Sequence, residues 1–236
     1  MNDMEKMIEN ISNIEERIGY KFKNKSLLIL AFVHRSFVNE NRSIINEHNE
    51  RLEFLGDSVL GVLIAEFLYK DFPEKPEGEL SHLRSRLVEA NSCIMYMQKL
   101  DLEKYLLLSK GEKMNDGRGR ESILSDLLEA IIGAVYLDGG ISAAKTFLFQ
   151  NFAKEIYKII EQPLKNWKAE LQDFAQKKHQ QTPRYEVLHE TGPDHSKTFE
   201  VSVYIDGKEI ATGKGPSKKE AQQEAAFIAF SKIHKA

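Results

Sequence analysis

Five carboxylates in two apolar helical stretches are the residues best placed to do chemistry. In Asn49-Glu50-Arg51-Leu52-Glu53-Phe54-Leu55-Gly56-Asp57-Ser58-Val59-Leu60, a helical advance of about 100° per residue puts Glu50, Glu53 and Asp57 within about 60° of one another. Leu52, Leu55, Val59, Leu60 and Leu63 take the broad opposite side. A surface helix scatters charges of mixed sign. Here three acids share a narrow stripe, and the one neighbouring cation, Arg51, points elsewhere. In Ser125-Asp126-Leu127-Leu128-Glu129-Ala130-Ile131-Ile132-Gly133-Ala134-Val135, Asp126 and Glu129 lie three apart on one face of a second apolar helix. Gly133 continues that face and has room for another backbone to come close. A helix apolar on most sides is a buried one. Carboxylates buried there must find a partner or protonate. A divalent cation resolves the conflict, and oxygen ligands without histidine or cysteine suit Mg²⁺ or Mn²⁺ rather than Zn²⁺. Magnesium held by few carboxylates keeps waters, one of which can attack a phosphodiester. The competing reading of the same acids is ion pairing with Arg or Lys elsewhere, or a place at a solvent edge.

Other candidate groups fall away. Ser58 and Ser125 lie near the acids, but neither has the histidine base a serine nucleophile needs. His34, followed by Arg35 and Ser36, reads as a hydrogen-bonded residue at a helix end and is left outside the chemistry.

The acids need a scaffold, and the first 160 residues read as mostly helical. Apolar positions recur at helical spacing through Ile8–Ile18, Ser26–Phe32, Arg51–Tyr69, Glu79–Leu100, Ile123–Leu137 and Ala143–Ile160. Breaks are expected at Pro73, Pro76 and Gly78, in the polar stretch Lys110–Glu121, and at Asp138-Gly139-Gly140. Residues 161–166 read as a linker, with Pro163 stopping the preceding helix. The pattern then changes to a helix at Trp167–Lys178, strands at Arg184–Glu190, Phe199–Ile205 and Lys208–Thr212, and a last helix. Asp206-Gly207 is a hairpin turn. Ser217-Lys218-Lys219-Glu220 is a capping box opening the last helix. The expected fold is an all-α domain over 1–160 followed by a small α+β module (α-β-β-β-α) over 167–235.

Composition sets the outer bounds. The 236-residue chain is 42% hydrophobic and 29% charged, ordinary for a globular protein. Its single cysteine, Cys93, excludes an internal disulfide framework. The N-terminal residues are charged throughout and lack a signal-peptide core, and no apolar run approaches the roughly 18 residues of a membrane span. The expectation is a cytoplasmic protein without membrane attachment. The net charge of -3 divides unevenly: residues 165–236 carry twelve Lys/Arg against ten Asp/Glu, while the rest is acidic. A slightly basic tail module is a weak pointer to nucleic acid.

Asn49–Leu60 resembles the signature of the bacterial ribonuclease III family, and the likeness runs along essentially the whole chain. His34-Arg35-Ser36, Glu77-Gly78-Glu79-Leu80-Ser81, Lys110-Gly111-Glu112 and Glu121–Ala130 support it. The resemblance implies a helical endonuclease domain working as a homodimer. It implies metal-dependent hydrolysis of double-stranded RNA with Mg²⁺, for which Mn²⁺ can substitute, and without a small-molecule cofactor. Products would carry 5′-phosphate and 3′-hydroxyl ends with short 3′ overhangs, and substrates would be ribosomal RNA precursors and other structured transcripts. It makes Glu129 the direct metal ligand essential to turnover and Glu53 and Asp126 its co-ligands, with Asp57 positioning or ligating a metal-bound water. Glu50 and Glu77 match supporting acidic positions. Phe54 matches a position that plugs the partner subunit; plain core packing is the equal alternative.

Residues 165–235 resemble a double-stranded-RNA-binding domain. A-form RNA offers a shallow minor groove, so a protein reads its shape across about 16 base pairs. Three contact points are expected. Gln172 and Gln176 lie four apart on the first helix, and His195 projects from the Gly192–Lys197 loop. Ser217, Lys218 and Lys219 open the last helix, where dipole and ammonium groups favour phosphate. Ala169 and Glu170 depart from the polar or basic residues usual in the first helix. A protein that binds RNA without cutting it is the rival reading; such relatives lose metal ligands, and all four acids are present here.

Overall fold

The computed structural model describes residues 3–114, 120–162, 167–192 and 197–235. By its internal contacts the chain divides into two compact units, Met1–Gln162 and Pro163–Ala236.

The first unit is helical, as its periodicity predicts. Its helices are α1 (Asp3–Glu9), α2 (Ile11–Ile18), α3 (Lys25–Ala31), α4 (Arg35–Glu40), α5 (Glu50–Asp71), α6 (Glu77–Val88), α7 (Ala90–Leu100), α8 (Lys110–Met114) and α9 (Arg120–Glu161). A single core unites them. Leu60, Leu63 and Ile64 of α5 meet Leu127, Leu128, Ile131, Ile132 and Val135 of α9, and all are fully buried. By length and hydropathy α9 contains a stretch able to cross a membrane; in this fold those apolar positions form the centre of the unit. Helix α9 breaks at Gly140 (φ 77°, ψ -177°), within the expected Asp138-Gly139-Gly140 interruption. Asp138 accepts there from the backbone N–H groups of Lys23 and Asn24 and from the Tyr20 hydroxyl, each at 2.8 Å.

Several local expectations need correction: Ile8–Ile18 is divided between α1 and α2, and the polar stretch Lys110–Glu121 opens on the short helix α8. Glu79–Leu100 is two helices, because Glu89 is extended (φ -67°, ψ 156°). Side chains from α7 take up the carbonyls freed at the end of α6: Ser92 Oγ donates to Arg86 O (2.6 Å) and Tyr96 OH to Leu87 O (3.4 Å). The two helices keep compatible apolar phases, so periodicity does not register the break. Gly78 lies inside α6 rather than interrupting it. Helix α4 escapes a periodicity search because it has only six residues.

Helices α5 and α9 share the most extensive contact in the unit, and they meet backbone to backbone. A Cβ added to Gly56 would lie 1.8 Å from the Glu129 carbonyl oxygen, and one added to Gly133 would lie 2.3 Å from the Leu52 carbonyl oxygen. No side chain fits at either position. The expected close approach at Gly133 is thus made, and its counterpart is Gly56.

The second unit is built from α10 (Trp167–His179), β1 (Arg184–Thr191), β2 (Thr198–Ile205), β3 (Lys208–Gly215) and α11 (Lys218–Lys235). The strands form one antiparallel sheet in the order β1-β2-β3. Asp206 (φ 53°) and Gly207 (φ 72°) make the tight turn between β2 and β3. Helix α11 lays Ala221, Ala225, Ala226 and Ala229, all fully buried, into the core. A Cβ on Gly213 of β3 would fall 2.2 Å from the Ala225 nitrogen, so small residues on both sides let helix and strand approach closely. Trp167 of α10 packs on Phe227 and Phe230 of α11, ring centroids 4.9 and 5.4 Å apart. His195 and residues 163–166 of the expected linker lie outside the described residues.

Gly133→Ala should force α5 and α9 apart. Overpacking of this kind costs about 1–3 kcal/mol, which a thermal melt should register as a midpoint lower by several degrees. An unchanged midpoint would show that the crossing can yield.

Candidate nuclease site and RNA-binding surface

The α5–α9 crossing sets the acids around it. Glu53 and Asp57 flank Gly56 on α5, and Asp126 and Glu129 lie about two turns and one turn before Gly133 on α9. The start of α5 is anchored by Asn49, which is 2% exposed. Its side-chain amide donates to Ala31 O (3.2 Å) and its backbone N–H to Val33 O (2.9 Å).

Burial and neighbouring negative charge act together on the acids at this crossing. Burial raises the Glu129 carboxyl to about 7 from its ordinary 4.5, reinforced by the charges of Asp57, Asp126 and Glu53. Glu53 is raised first by burial and then by Asp126, Glu50 and Asp57. Asp126 is raised by burial and by Glu50, against an opposing pull from His34. Like charge thus adds to burial in opposing ionisation, most of all at Glu129. The sequence reading overstated their burial: Glu53, Asp126 and Glu129 are half-buried and Asp57 is exposed, so the group forms the rim of an open site.

Glu50 differs from the expectation of an unpaired acid. The Arg35 guanidinium and the His48 ring each approach it at 3.7 Å, groups that a helical projection of α5 alone does not show. Glu77 heads α6, is exposed, and accepts from Ser81 Oγ at 2.7 Å. It is not among the charges acting on Glu53, Asp126 or Glu129. Cys93 lies beside the cluster but is buried, and burial followed by the Glu129 charge pushes its thiol up to about 12, leaving it inert.

Among the described residues, no three carboxylate, histidine or cysteine side chains stand close enough together to hold an ion as they are. The chemistry of the donor set nevertheless fits a hard divalent cation. It is all oxygen, and burial, reinforced by neighbouring carboxylate charge, raises three of the four. A divalent ion would remove that repulsion and draw the carboxylates inward.

Phe54 is 78% exposed, which rules out core packing within the protomer. Val62 (60%) and Tyr69 (74%) are also exposed on α5. At about 100° per residue the three lie within about 80° of one another, an apolar stripe beside the acidic one.

In the second unit Gln172 and Gln176 are exposed on α10, as are Ala169 and Glu170. Ser217 Oγ caps α11 by accepting from the Glu220 N–H at 3.2 Å. Lys219 is exposed, and the Lys218 ammonium stands 5.7 Å from the centre of the Phe199 ring.

Comparison with known proteins decides the family. The ribonuclease-III-like family model matches residues 24–156, and the double-stranded RNA binding motif matches 167–233. The chain belongs to the ribonuclease III family. It is 64% identical over 233 residues to Ribonuclease 3 of Protochlamydia amoebophila, covering 99% of this chain and 96% of that one. It is 42% identical over 226 residues to Ribonuclease 3 of Treponema denticola, covering 95% and 92%. Among solved structures, a nuclease domain of ribonuclease III from Campylobacter jejuni superposes with a TM-score of 0.55 at 42% identity, covering 61% of this chain and 99% of that chain. The protein is thus a double-stranded-RNA-specific endoribonuclease of a metal-dependent family, with a helical nuclease domain and an α-β-β-β-α RNA-binding domain.

Sequence reasoning missed Gly56, Asn49, Arg35 and His48. Gly56 carried a signal, since a glycine inside an otherwise strong helix costs stability and calls for a packing reason. The other three act through contacts between segments.

The raised Glu129 carboxyl gives a sign that can be checked. A carboxyl whose folded value exceeds its unfolded value favours folding below the unfolded value of 4.5, and that contribution is lost as pH rises through about 7. Glu129→Gln removes the penalty. In EDTA the variant should melt a few degrees above the parent protein at pH 8, and the gap should close at pH 5. A gap independent of pH would refute the coupling.

Proposed function

We propose that residues 1–160 form the catalytic domain, 161–166 the linker and 167–235 the RNA-gripping domain of a cytoplasmic enzyme that cuts ribosomal RNA precursors and other structured transcripts. Products would carry 5′-phosphate and 3′-hydroxyl ends with short 3′ overhangs. The observation that carries the site assignment is the backbone-to-backbone Gly56–Gly133 crossing, which brings the half-buried Glu53, Asp126 and Glu129 within range of neighbouring carboxylates, each raised first by burial and then by like charge. Glu129, Glu53 and Asp126 would hold Mg²⁺, for which Mn²⁺ can substitute. When bound, the ion supplies a hydroxide-like nucleophile near neutral pH and offsets charge developing on the phosphodiester. Asp57, the exposed member, would orient the attacking water. Glu50 and Glu77 would support the site from its RNA-facing edge.

The RNA grip would rest on Gln172 and Gln176 of α10 in one minor-groove face, His195 in the next, and Ser217, Lys218 and Lys219 against phosphate. Ser217 leaves the start of α11 capped while its dipole still favours an anion. Exposed Glu170 beside Ala169 adds no positive charge to α10, so phosphate attraction there would be weak and the glutamine amides would carry the contact.

The exposed stripe of Phe54, Val62 and Tyr69 supports a homodimer, each Phe54 entering the partner subunit. The Campylobacter jejuni structure is described as having a region involved in dimer formation. Two copies would bring two sites to the two strands of one duplex.

The central test is cleavage of a perfect RNA duplex. Cutting is expected with Mg²⁺ and not with EDTA. Glu129→Gln should abolish cutting while still retaining duplex in Ca²⁺, and continued cutting would remove Glu129 from the site. The dimer has a separate check. Phe54→Ala should weaken self-association at least about tenfold in sedimentation, the size expected of a central aromatic anchor. It should leave the melting midpoint of the protomer intact, because Phe54 is outside the core. Unchanged association would exclude Phe54 from the interface.

A further inference from the structure

The nuclease unit ends on a helix terminus that a distant side chain holds. Helix α9 runs to Glu161, and the last four carbonyls of a helix have no partner within it. Arg86, in the last turn of α6, reaches them. Its guanidinium donates to Ile159 O at 2.9 Å, to Gln162 O at 3.3 Å and to Gln162 Oε1 at 3.2 Å. A cation suits this place, because the carbonyl dipoles leave the C-terminal end of a helix negative. A planar guanidinium serves several oxygens at once with little further loss of freedom. Arg86 is itself held, since its backbone carbonyl accepts from Ser92 Oγ at 2.6 Å.

These bonds fall where apolar packing stops. Ile156 and Ile159 are buried, and Ile160 packs at the margin of the core. Glu161 and Gln162 are exposed. Lys99 ties α9 to α7 through Asn151 O and the Glu155 carboxylate, each at 2.7 Å, but at least a turn earlier. Gln162 is the last residue of the nuclease unit, and residues 163–166 connect it to Trp167, the first residue of α10.

We infer that Arg86 is a positioning residue for the RNA substrate: by holding Ile159 and Gln162 to α6 it sets the point from which the RNA-binding domain is tethered, and with it the length of the tether. With Arg86 in place the tether is residues 163–166. Without it the last turn, residues 159–162, frays and joins the tether, which doubles. The effective concentration of a tethered domain falls roughly as the -3/2 power of tether length, so doubling lowers it about threefold. The same change widens the range of positions at which a gripped duplex is presented to the carboxylates. The acids and the Gly56–Gly133 crossing are untouched. The inference rests on the reading of the second domain as the RNA grip.

Two full-length variants separate the parts. Arg86→Gln removes the charged fork. The other variant keeps Arg86 and carries four extra Gly and Ser residues after Gln162. Both are compared with the parent protein by hydrogen exchange and by melting in EDTA. Both are also assayed on a long RNA duplex labelled at one end, with kcat and KM separated. Arg86→Gln should speed exchange of the 160–162 amides at least about tenfold, the size expected for loss of hydrogen bonds to a charged donor. It should raise KM about threefold and spread the cuts over more positions, with kcat unchanged. The insertion should raise KM and spread the cuts in the same way without the faster exchange. Unchanged exchange in Arg86→Gln would show that the contact holds nothing and would overturn the inference. So would a kcat that falls with the melting midpoint at constant KM, which reduces Arg86 to a helix cap. A KM raised by the insertion alone would overturn the inference and leave the RNA grip standing. A KM unmoved in both variants would remove the tethered grip along with it.

Discussion

The nuclease domain depends on one steric constraint: α5 and α9 touch through backbone at Gly56 and Gly133, where no Cβ fits. That contact sets how far apart two pairs of carboxylates stand. Were either glycine replaced, the helices would separate by the width of a side chain. Glu53 and Asp57 would then no longer share a site with Asp126 and Glu129. The apolar flanks of both helices, from Leu60 to Ile64 and from Leu127 to Val135, hold the crossing closed. Hydrophobic burial is the force and the glycine pair is the stop that defines where the force comes to rest.

Closing the crossing has an electrostatic cost. Three carboxyls are pushed upward, Glu129 to about 7, because burial and like charge both oppose ionisation. The fold tolerates this arrangement because the site is a rim rather than a cavity, with Asp57 and Glu50 open to water. Pre-assembled repulsion of this kind is the mark of a site whose lowest-energy state includes a cation. The nearby guanidinium is kept to the edge: Arg35 stands against Glu50, with the His48 ring on the same carboxylate.

The RNA-binding domain solves its packing with the same device at lower stakes. Gly213 on β3 lets the alanine face of α11 settle directly on the strand, which fixes where Ser217, Lys218 and Lys219 emerge. The Phe199 ring beneath the Lys218 ammonium gives that cation a weak local partner, one that leaves its charge available.

Much of this was legible in the residues alone. Helical and alternating periodicities separated an all-α domain from an α-β-β-β-α module, since burial of one face imposes a period of 3.6 or 2 on apolar residues. The stripe of Glu53 and Asp57 and the pair Asp126 and Glu129 stood out because acids on an apolar helix conflict with local packing rules. Tertiary structure alone decided the rest. It split residues 77–100 at Glu89, where side chains from the next helix satisfy the freed carbonyls. It paired Glu50 with Arg35 and His48, turned Phe54 outward, and made Gly56 the counterpart of Gly133. Each of these depends on groups distant along the chain or on a neighbouring segment's geometry. A one-dimensional pattern records which face of a helix is apolar; it does not record what that face will meet, nor how close the meeting will be.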